Sequence, residues 1–234
     1  MNSNKNHFLD TSIVLTGLIK WRKEEFHEKA NQYFDDRKFI RITSIRVFSE
    51  AQSVMNNSRR IYSQFLQKMY ENPSVIRTSD LEGSMIFEAK KLFKKPFEQR
   101  IITAFIRNSS ATIFSAVSTD AETFQKYLTQ IAQEIHKGIL ELMIVCQPRQ
   151  GAKIARFDRC PSDHSKYYPN DFQVLESKIN YPPDTEVILD AYFISNKIKH
   201  NISLITLDNE HMLSNKSHIE ATLQTIKVCD FRQY

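Results

Sequence analysis

The sequence predicts an α/β fold, a three-layer α/β/α arrangement in which helices cover both faces of a central parallel sheet, with a largely helical insertion. Short apolar segments alternate with helical segments at the beginning of the chain, and the same alternation returns near its end. The region between them is mainly periodic at helical spacing. Alternation of strand and helix is typical of parallel sheets, because their crossover connections place helices on both faces.

The beginning of the chain predicts two strands and three helices. His7 to Leu9 is the first strand candidate, and the three residues after it all have side chains that can cap a helix. A second helix is expected from about Lys23 to Asp35, and a second strand from Lys38 to Thr43. Ser44 is a suitable N-cap for the third helix, which contains Glu50.

The middle of the chain, about residues 57–181, is expected to be an insertion. Apolar residues at helical spacing predict helices in its first part, and the longest periodic run extends from Ala121 to Val145. Breaks between helices are expected at 78–80 and 108–110. Five prolines in the segment from Gln147 to Pro183 inclusive predict an irregular loop, and long loops inside compact domains often carry function.

The end of the chain returns to the strand and helix pattern. A helix is expected from Pro182 to about His200, with Asn201 as its C-cap. Strands are expected at Ile202–Thr206 and Thr225–Cys229, with a short helix between them. These elements complete the predicted parallel sheet.

Composition and charge limit the classes of protein. The 234 residues, 41% of them apolar and 25% charged, are ordinary for a globular protein. We expect a single domain over 1–234, with a core formed by about 6–56 and 182–230. The formal net charge of +5 weakly favours a polyanionic partner. Three cysteines without close spacing argue against a disulfide framework, and the apolar runs are too short to cross a bilayer, so we expect a cytoplasmic protein with no membrane partner.

Acidic residues follow the predicted strands at the edge where parallel sheets bind ligands. Asp10 and Asp208 come just after strands, and Glu50 lies in the helix that follows the second strand. Asp184 and Asp190, near the start of the last long helix, are further candidates. Two carboxylates 4 Å apart repel by about 4 kcal/mol at an effective dielectric near 20, so such a cluster requires protons or a cation. Oxygen ligands suit Mg²⁺ or Mn²⁺.

Asp184 and Asp190 are alternatives for one position in this cluster. They are six residues apart, about 600° around a helix, so their side chains point about 120° apart and one is expected to face the other acids. The pattern slightly favours Asp184 and leaves Asp190 open. Each acid taken alone also fits a helix cap or a turn, so the argument depends on the ordered set.

Three segments resemble motifs of the PIN-domain family of metal-dependent nucleases. Phe8–Ser12 resembles the opening hydrophobic, Asp, Thr/Ser motif of that family. Thr43–Glu50 resembles the second motif, whose Glu lies on the helix after the second strand, and Leu204–Asp208 resembles the closing motif. The resemblance covers both core segments in the family's order. This chain is longer than the small toxins of the family, and its additional residues lie between Glu50 and Asp184.

The resemblance implies a ribonuclease that uses Mg²⁺ or Mn²⁺ to activate water for attack on a phosphodiester bond of single-stranded or structured RNA. The residues that it implies as catalytic are Asp10, Glu50, Asp184, Asp190 and Asp208. Of these, Asp10, Glu50, Asp184 and Asp208 are the implied metal ligands, with Glu50 binding directly or through water. Both a toxin-like enzyme with an antitoxin-like protein partner and an RNA-processing enzyme fit, as does a homodimer.

Three hydroxyl residues, Thr11, Ser12 and Thr206, stand beside the predicted acids. Their side chains could bond a carboxylate or a metal-bound water, or they could only cap the backbone. A basic run formed by Lys90, Lys91, Lys94 and Lys95 could track the phosphates of a nucleic acid. An ordinary solvated helix face is the more common explanation of such a run.

Two other functions are compatible with the sequence. One is a catalytically inactive PIN-fold module that binds RNA or a protein partner. The other is a phosphatase of the haloacid-dehalogenase type, which also begins with a strand and an Asp. That type needs a second Asp two residues later, where this chain has Ser12, so the sequence disfavours it.

Overall fold

The computed structural model describes residues 5–18, 24–149 and 151–234. Lys23, where the second helix was expected to begin, lies outside the described residues. The chain divides into two compact units. Of the described residues, the first unit comprises 5–18, Phe26–Ala51 and, apart from position 150, Leu142–Tyr234, and the second comprises 24–25 and Gln52–Glu141.

The first unit contains a six-stranded sheet in which every neighbouring pair is parallel. Its strands are β1 (Asn6–Leu9), β2 (Ile40–Ser44), β3 (Cys146–Gln147), β4 (Ile154–Phe157), β5 (Ile202–Thr206) and β6 (Ile226–Asp230). The spatial order is β3-β4-β2-β1-β5-β6. The chain therefore builds the sheet on one side of β1 first and then returns to its other side. The α/β class, with a central parallel sheet flanked by helices, is confirmed.

The helices alternate with these strands and fill the middle of the chain. They are α1 (Thr11–Leu18), α2 (Glu24–Asp35), α3 (Ile45–Glu71), α4 (Leu81–Leu92), α5 (Pro96–Val117), α6 (Ala121–Val145), α7 (His164–Tyr167), α8 (Pro169–Ile179), α9 (Pro182–Ile198) and α10 (Lys216–Thr222). A π-helix at Asn209–Leu213 and a final 3₁₀ turn at Phe231–Gln233 follow β5 and β6. Within the described residues, no helix combines the length and apolar content needed to span a bilayer.

The central strands are buried on both faces. Successive side chains of a strand point to opposite faces, yet Phe8 and Leu9 of β1 are both fully buried, as are Leu204 and Ile205 of β5. Burial of apolar surface contributes about 25 cal/mol per Å², so these buried side chains stabilise both strands. The residues that follow these two strands are therefore attached to a well-packed part of the sheet.

The second unit is helical, as the periodicity predicted. Its core contains Phe65, Phe105 and Phe124, each nearly or fully buried. Two stacked aromatic pairs contribute to the packing, Tyr62 with Phe105 at 4.0 Å between ring centroids and Tyr70 with Phe124 at 4.1 Å. The amphipathic pattern of α3 and α6 thus supplies the apolar faces of this unit.

Several sequence predictions of local structure are wrong. The expected loop from Gln147 to Pro183 contains β4, α7 and α8. Proline at the first position of a helix loses no intrahelical hydrogen bond, so Pro169 begins a helix here instead of marking a loop, and Pro182 begins the last long helix, as expected. α5 continues through 108–110, where a break was expected. Lys199, in the left-handed region at φ 57°, caps α9 in place of Asn201.

Candidate functional site

Two of the predicted acids stand at the carboxyl ends of neighbouring strands. Asp10 follows β1 and Asp208 follows β5, and the backbone N–H of Asp10 donates to the carbonyl of Ile205 at 3.1 Å. The strand order reverses around β1, which makes the crevice between β1 and β5 a topological switch point. In open α/β sheets, ligands bind outside the carboxyl ends of the strands at such a point.

Asp10 is buried and its carboxylate is held by hydrogen bonds. It accepts from the backbone N–H of Thr11 at 2.6 Å, from the hydroxyl of Ser12 at 2.7 Å and from the hydroxyl of Thr206 at 2.9 Å. Burial raises the pKa of Asp10 above its ordinary value, the two hydroxyls oppose that shift, and the charge of Asp208 adds to it. The side chain is therefore fixed in orientation and already bears the electrostatic effect of a second acid.

Asp208 both caps a helix and faces the site. One of its oxygens, Oδ1, accepts the backbone N–H of Glu210 at 2.9 Å and that of His211 at 3.3 Å, at the start of the π-helix. Its own backbone N–H donates to the Thr206 hydroxyl at 2.9 Å. The other oxygen, Oδ2, lies 3.5 Å from Nδ1 of His211. The cap thus fixes the carboxylate and directs one oxygen towards the histidine.

Asp184, in the first turn of α9, completes the acidic set. Its pKa is raised to about 8, first by burial and then by the charges of Asp10, Asp208 and Glu50. Its Oδ2 atom lies 2.8 Å from Nδ1 of His211, and one proton between these atoms is enough for that hydrogen bond. The structure therefore brings together four of the five predicted acids. Their mutual repulsion contributes to the raised pKa of Asp184.

Glu50 is exposed on α3, about one and a half turns after the helix begins. Its Oε2 atom accepts a hydrogen bond from the hydroxyl of Thr11 at 2.6 Å. Because Thr11 directly follows Asp10, this bond links α3 to the end of β1. All three hydroxyl residues singled out from the sequence therefore donate to carboxylates, Thr11 to Glu50 and the other two to Asp10.

His211 is part of the site and was missed by the sequence analysis. Oxygens of Asp184 and Asp208 and a ring nitrogen of His211 all lie within 4.8 Å of one another. Two ligands at about 2.1 Å from a shared ion can be about 4 Å apart, so a small adjustment would let one divalent cation bind these groups. The imidazole ring stacks on Tyr181, with centroids 4.9 Å apart. The available signal was its position three residues after Asp208, on one face of a short helix.

Asp190 does not join this cluster and belongs to a separate buried network. It is fully buried, with Oδ1 2.8 Å from Nε2 of His164 and Oδ2 3.2 Å from Nε of Arg46. Arg46 also pairs with Glu186 at 2.8 Å. Both oxygens of Asp190 are thus engaged by basic side chains, whereas Asp184 faces the acids, as the 120° separation between the two side chains requires.

The predicted basic run lies in the second unit. Lys90 and Lys91 lie in the last turn of α4, Lys94 and Lys95 follow the helix, and all four are exposed. Lys91 pairs with Glu88 at 2.6 Å and lies 4.1 Å from the centroid of the Phe87 ring. The run thus combines positive charge with an aromatic side chain that is 61% exposed.

Comparison with protein-family models, with curated protein sequences and with solved structures found no match for this chain.

Proposed function

We propose that the protein is a metal-dependent ribonuclease of the PIN-domain type. The observation that carries this proposal is the meeting of Asp10, Glu50, Asp184 and Asp208 at the switch point of a parallel sheet. These residues are far apart in the sequence, and the fold brings them together. Their convergence leaves a cluster of like charges that a divalent cation would offset.

The groups in this cluster suit Mg²⁺ or Mn²⁺. Carboxylate oxygens are the preferred ligands of both ions, and Asp184 with Asp208 supplies oxygens at a suitable separation. A cation bound there would neutralise charge on a phosphodiester and favour ionisation of a water molecule. Asp184 must release its proton before it can act as a ligand, since a protonated carboxyl group is a poor donor to a cation.

The protein residues have distinct parts in this proposal. Asp10 is held in one orientation by hydrogen bonds from Thr11, Ser12 and Thr206, so it would contribute a fixed negative charge beside the cation. Glu50 is exposed, and its carboxylate can accept a hydrogen bond from the attacking water. Thr11 fixes the position of Glu50. In this proposal the water and the phosphate bind on the solvent side of the cluster, where Glu50 is exposed.

RNA is the substrate class that the remaining features support. The net charge of +5 favours a polyanion, and the second unit presents an exposed basic run beside the exposed ring of Phe87. Aromatic rings near positive charges are typical of surfaces that bind single-stranded nucleic acid. This combination also favours the second candidate, an inactive PIN-fold module that binds RNA without cleaving it.

Cleavage of a labelled single-stranded RNA in Mn²⁺ separates the two candidates. We expect the wild-type chain to cleave, EDTA to stop the reaction, and Asp10→Asn and Asp208→Asn to lower the rate by at least about 100-fold, the scale of removing one charge-stabilising group. Glu134→Gln, a substitution of an exposed acid in α6, is the matched control and should leave the rate unchanged. RNA binding without metal-dependent cleavage would establish the binding module instead.

A further inference from the structure

One face of the parallel sheet is incompletely covered at β4 and at the start of β2, although Ile42 and Ser44 of β2 are buried. Ile42 of β2 pairs with Ala155 of β4, and the next pair on the same face is Ser44 with Phe157. Ala155 and Phe157 are half-buried, and Ile40, two residues before Ile42, is 57% exposed. Parallel sheets normally have both faces covered. The exposed apolar surface here therefore calls for an explanation.

This face forms the floor of a cleft of about 620 Å³. The end of α9 provides one wall, through Lys197 and Ile198. Cavities of about 300–1,000 Å³ with apolar floors are the usual sites of small ligands. None of the acids of the candidate metal site lines this cleft. It is therefore a second potential site within the first unit.

The rim of the cleft is positively charged. Arg149, Arg159 and Lys197 line it and are exposed. The single acid among the described lining residues is Asp158, which Arg156 engages at 2.7 Å. In the described part of the chain, no ion pair joins the three exposed bases to a carboxylate. The cleft thus combines an apolar floor with about three uncompensated positive charges, a setting for an amphiphilic anion.

We propose that this cleft binds a nucleoside phosphate. The base would lie on the apolar floor against the ring of Phe157, since base–aromatic stacking is a common mode of recognition. The phosphate would bind Arg149 and Arg159, whose guanidinium groups can make paired hydrogen bonds to it, with Lys197 as a further positive charge. From Ile40 to the position of Ser44, which pairs with Phe157, the floor is about 13 Å long at 3.3 Å per residue, which suits one nucleotide better than an extended peptide.

Calorimetric titration of the full chain with AMP in EDTA tests this proposal independently of hydrolysis, because no metal can occupy the acidic cluster. We expect AMP to bind, and adenosine and inorganic phosphate each to bind at least about tenfold more weakly, since each lacks one half of the interaction. Absence of AMP binding at millimolar concentration would overturn the proposal. Equal binding of phosphate and AMP would also overturn it, because the floor would then have no part.

Variants separate the rim from the floor. The double substitution Arg149→Ala with Arg159→Ala should weaken AMP at least about tenfold, as expected for lost charge-assisted hydrogen bonds, and leave adenosine unchanged. Ile40→Ser should weaken both AMP and adenosine. Arg59→Ala, a substitution of an exposed arginine in the second unit, is the matched control. Unchanged AMP affinity in the double variant would contradict the proposal.

Competition shows the source of the nucleotide. A short RNA with a 5′ phosphate that displaces AMP from the wild-type chain, but not from the double variant, would support the cleft as a site for the end of an RNA strand. Failure to displace AMP would support a free nucleotide as the ligand. Displacement that is equally efficient from both proteins would overturn the assignment of the cleft, because the two ligands would then meet elsewhere.

Discussion

The hydroxyl of Thr206 lies 2.9 Å from the carboxylate of Asp10, although 196 residues separate them in the chain. The same hydroxyl accepts the backbone N–H of Asp208 at 2.9 Å. One buried side chain therefore connects the acids at the ends of β1 and β5. The pairing of β1 with β5 in the sheet thus fixes the positions of both acids in the candidate site.

Removal of this hydroxyl should weaken both the fold and the site. Thr206→Val keeps the shape of the side chain but leaves a buried carboxylate and a backbone N–H each with one partner fewer. We expect the free energy of unfolding to fall by about 1–3 kcal/mol in urea denaturation. Thr206→Ser retains the hydroxyl and should lose less. Equal stability of the valine variant and wild type would show that the bond contributes nothing.

The raised pKa of Asp184 predicts a pH dependence of stability in the absence of metal. The folded protein binds this proton up to a pKa of about 8, whereas the ordinary value is 3.8. The folded state therefore holds more protons between these values, and its stability should fall as pH rises from about 4 to 8, by at most about 1.4 kcal/mol per unit. Urea denaturation in EDTA at pH 5 and pH 8 measures the slope, which Asp184→Asn should reduce. An unchanged slope in that variant would assign the effect to other groups.

Arg46 joins α3, which contains Glu50, to α9, which contains Asp184. Its ion pairs with Glu186 and with the fully buried Asp190, both on α9, connect the two helices. Arg46→Met removes the positive charge and leaves Asp190 with His164 alone, which should cost about 3–5 kcal/mol of unfolding free energy. Arg46→Lys should retain part of this stability. If the methionine variant were as stable as wild type, the ion pairs of Arg46 would contribute nothing to the free energy of unfolding.

His211 predicts a preference among cations. Imidazole is a better ligand for Co²⁺ than for Mg²⁺, which favours oxygen. His211→Ala should therefore weaken Co²⁺ binding by about tenfold or more and change Mg²⁺ binding much less, as measured by calorimetric titration at pH 8. An equal loss for both ions would indicate that His211 only positions Asp184. His218→Ala, on α10, is the matched control.

The sequence was sufficient for the parts of the structure that depend on local chemistry. Alternation of strand and helix predicted the parallel sheet, and the position of Asp10 and Asp208 after strands placed them at one edge. Helical geometry limited Asp184 and Asp190 to different faces of α9. The choice between them depended on Arg46, which is 144 residues from Asp190, and such long-range ion pairs leave no periodic signal.

The missed features have a common physical origin. Three of the four residues of strand β4 are only half-buried and one of them is Arg156, so the strand lacks the apolar run that marks β1 and β5. Prolines that begin helices resemble prolines that end them when only the sequence is seen. His211 was missed because its partners, Tyr181 and Asp184, are distant in the sequence and contact it only in the folded chain.

Calorimetric titration of the metal-free chain with Mn²⁺ at pH 8 tests the central claim that these acids bind a divalent cation. We expect wild type and Asp190→Asn to bind Mn²⁺ and Asp184→Asn to lose at least tenfold in affinity, the scale of one lost charged ligand. Failure of wild type to bind at millimolar Mn²⁺, or unchanged binding by Asp184→Asn, would contradict the claim.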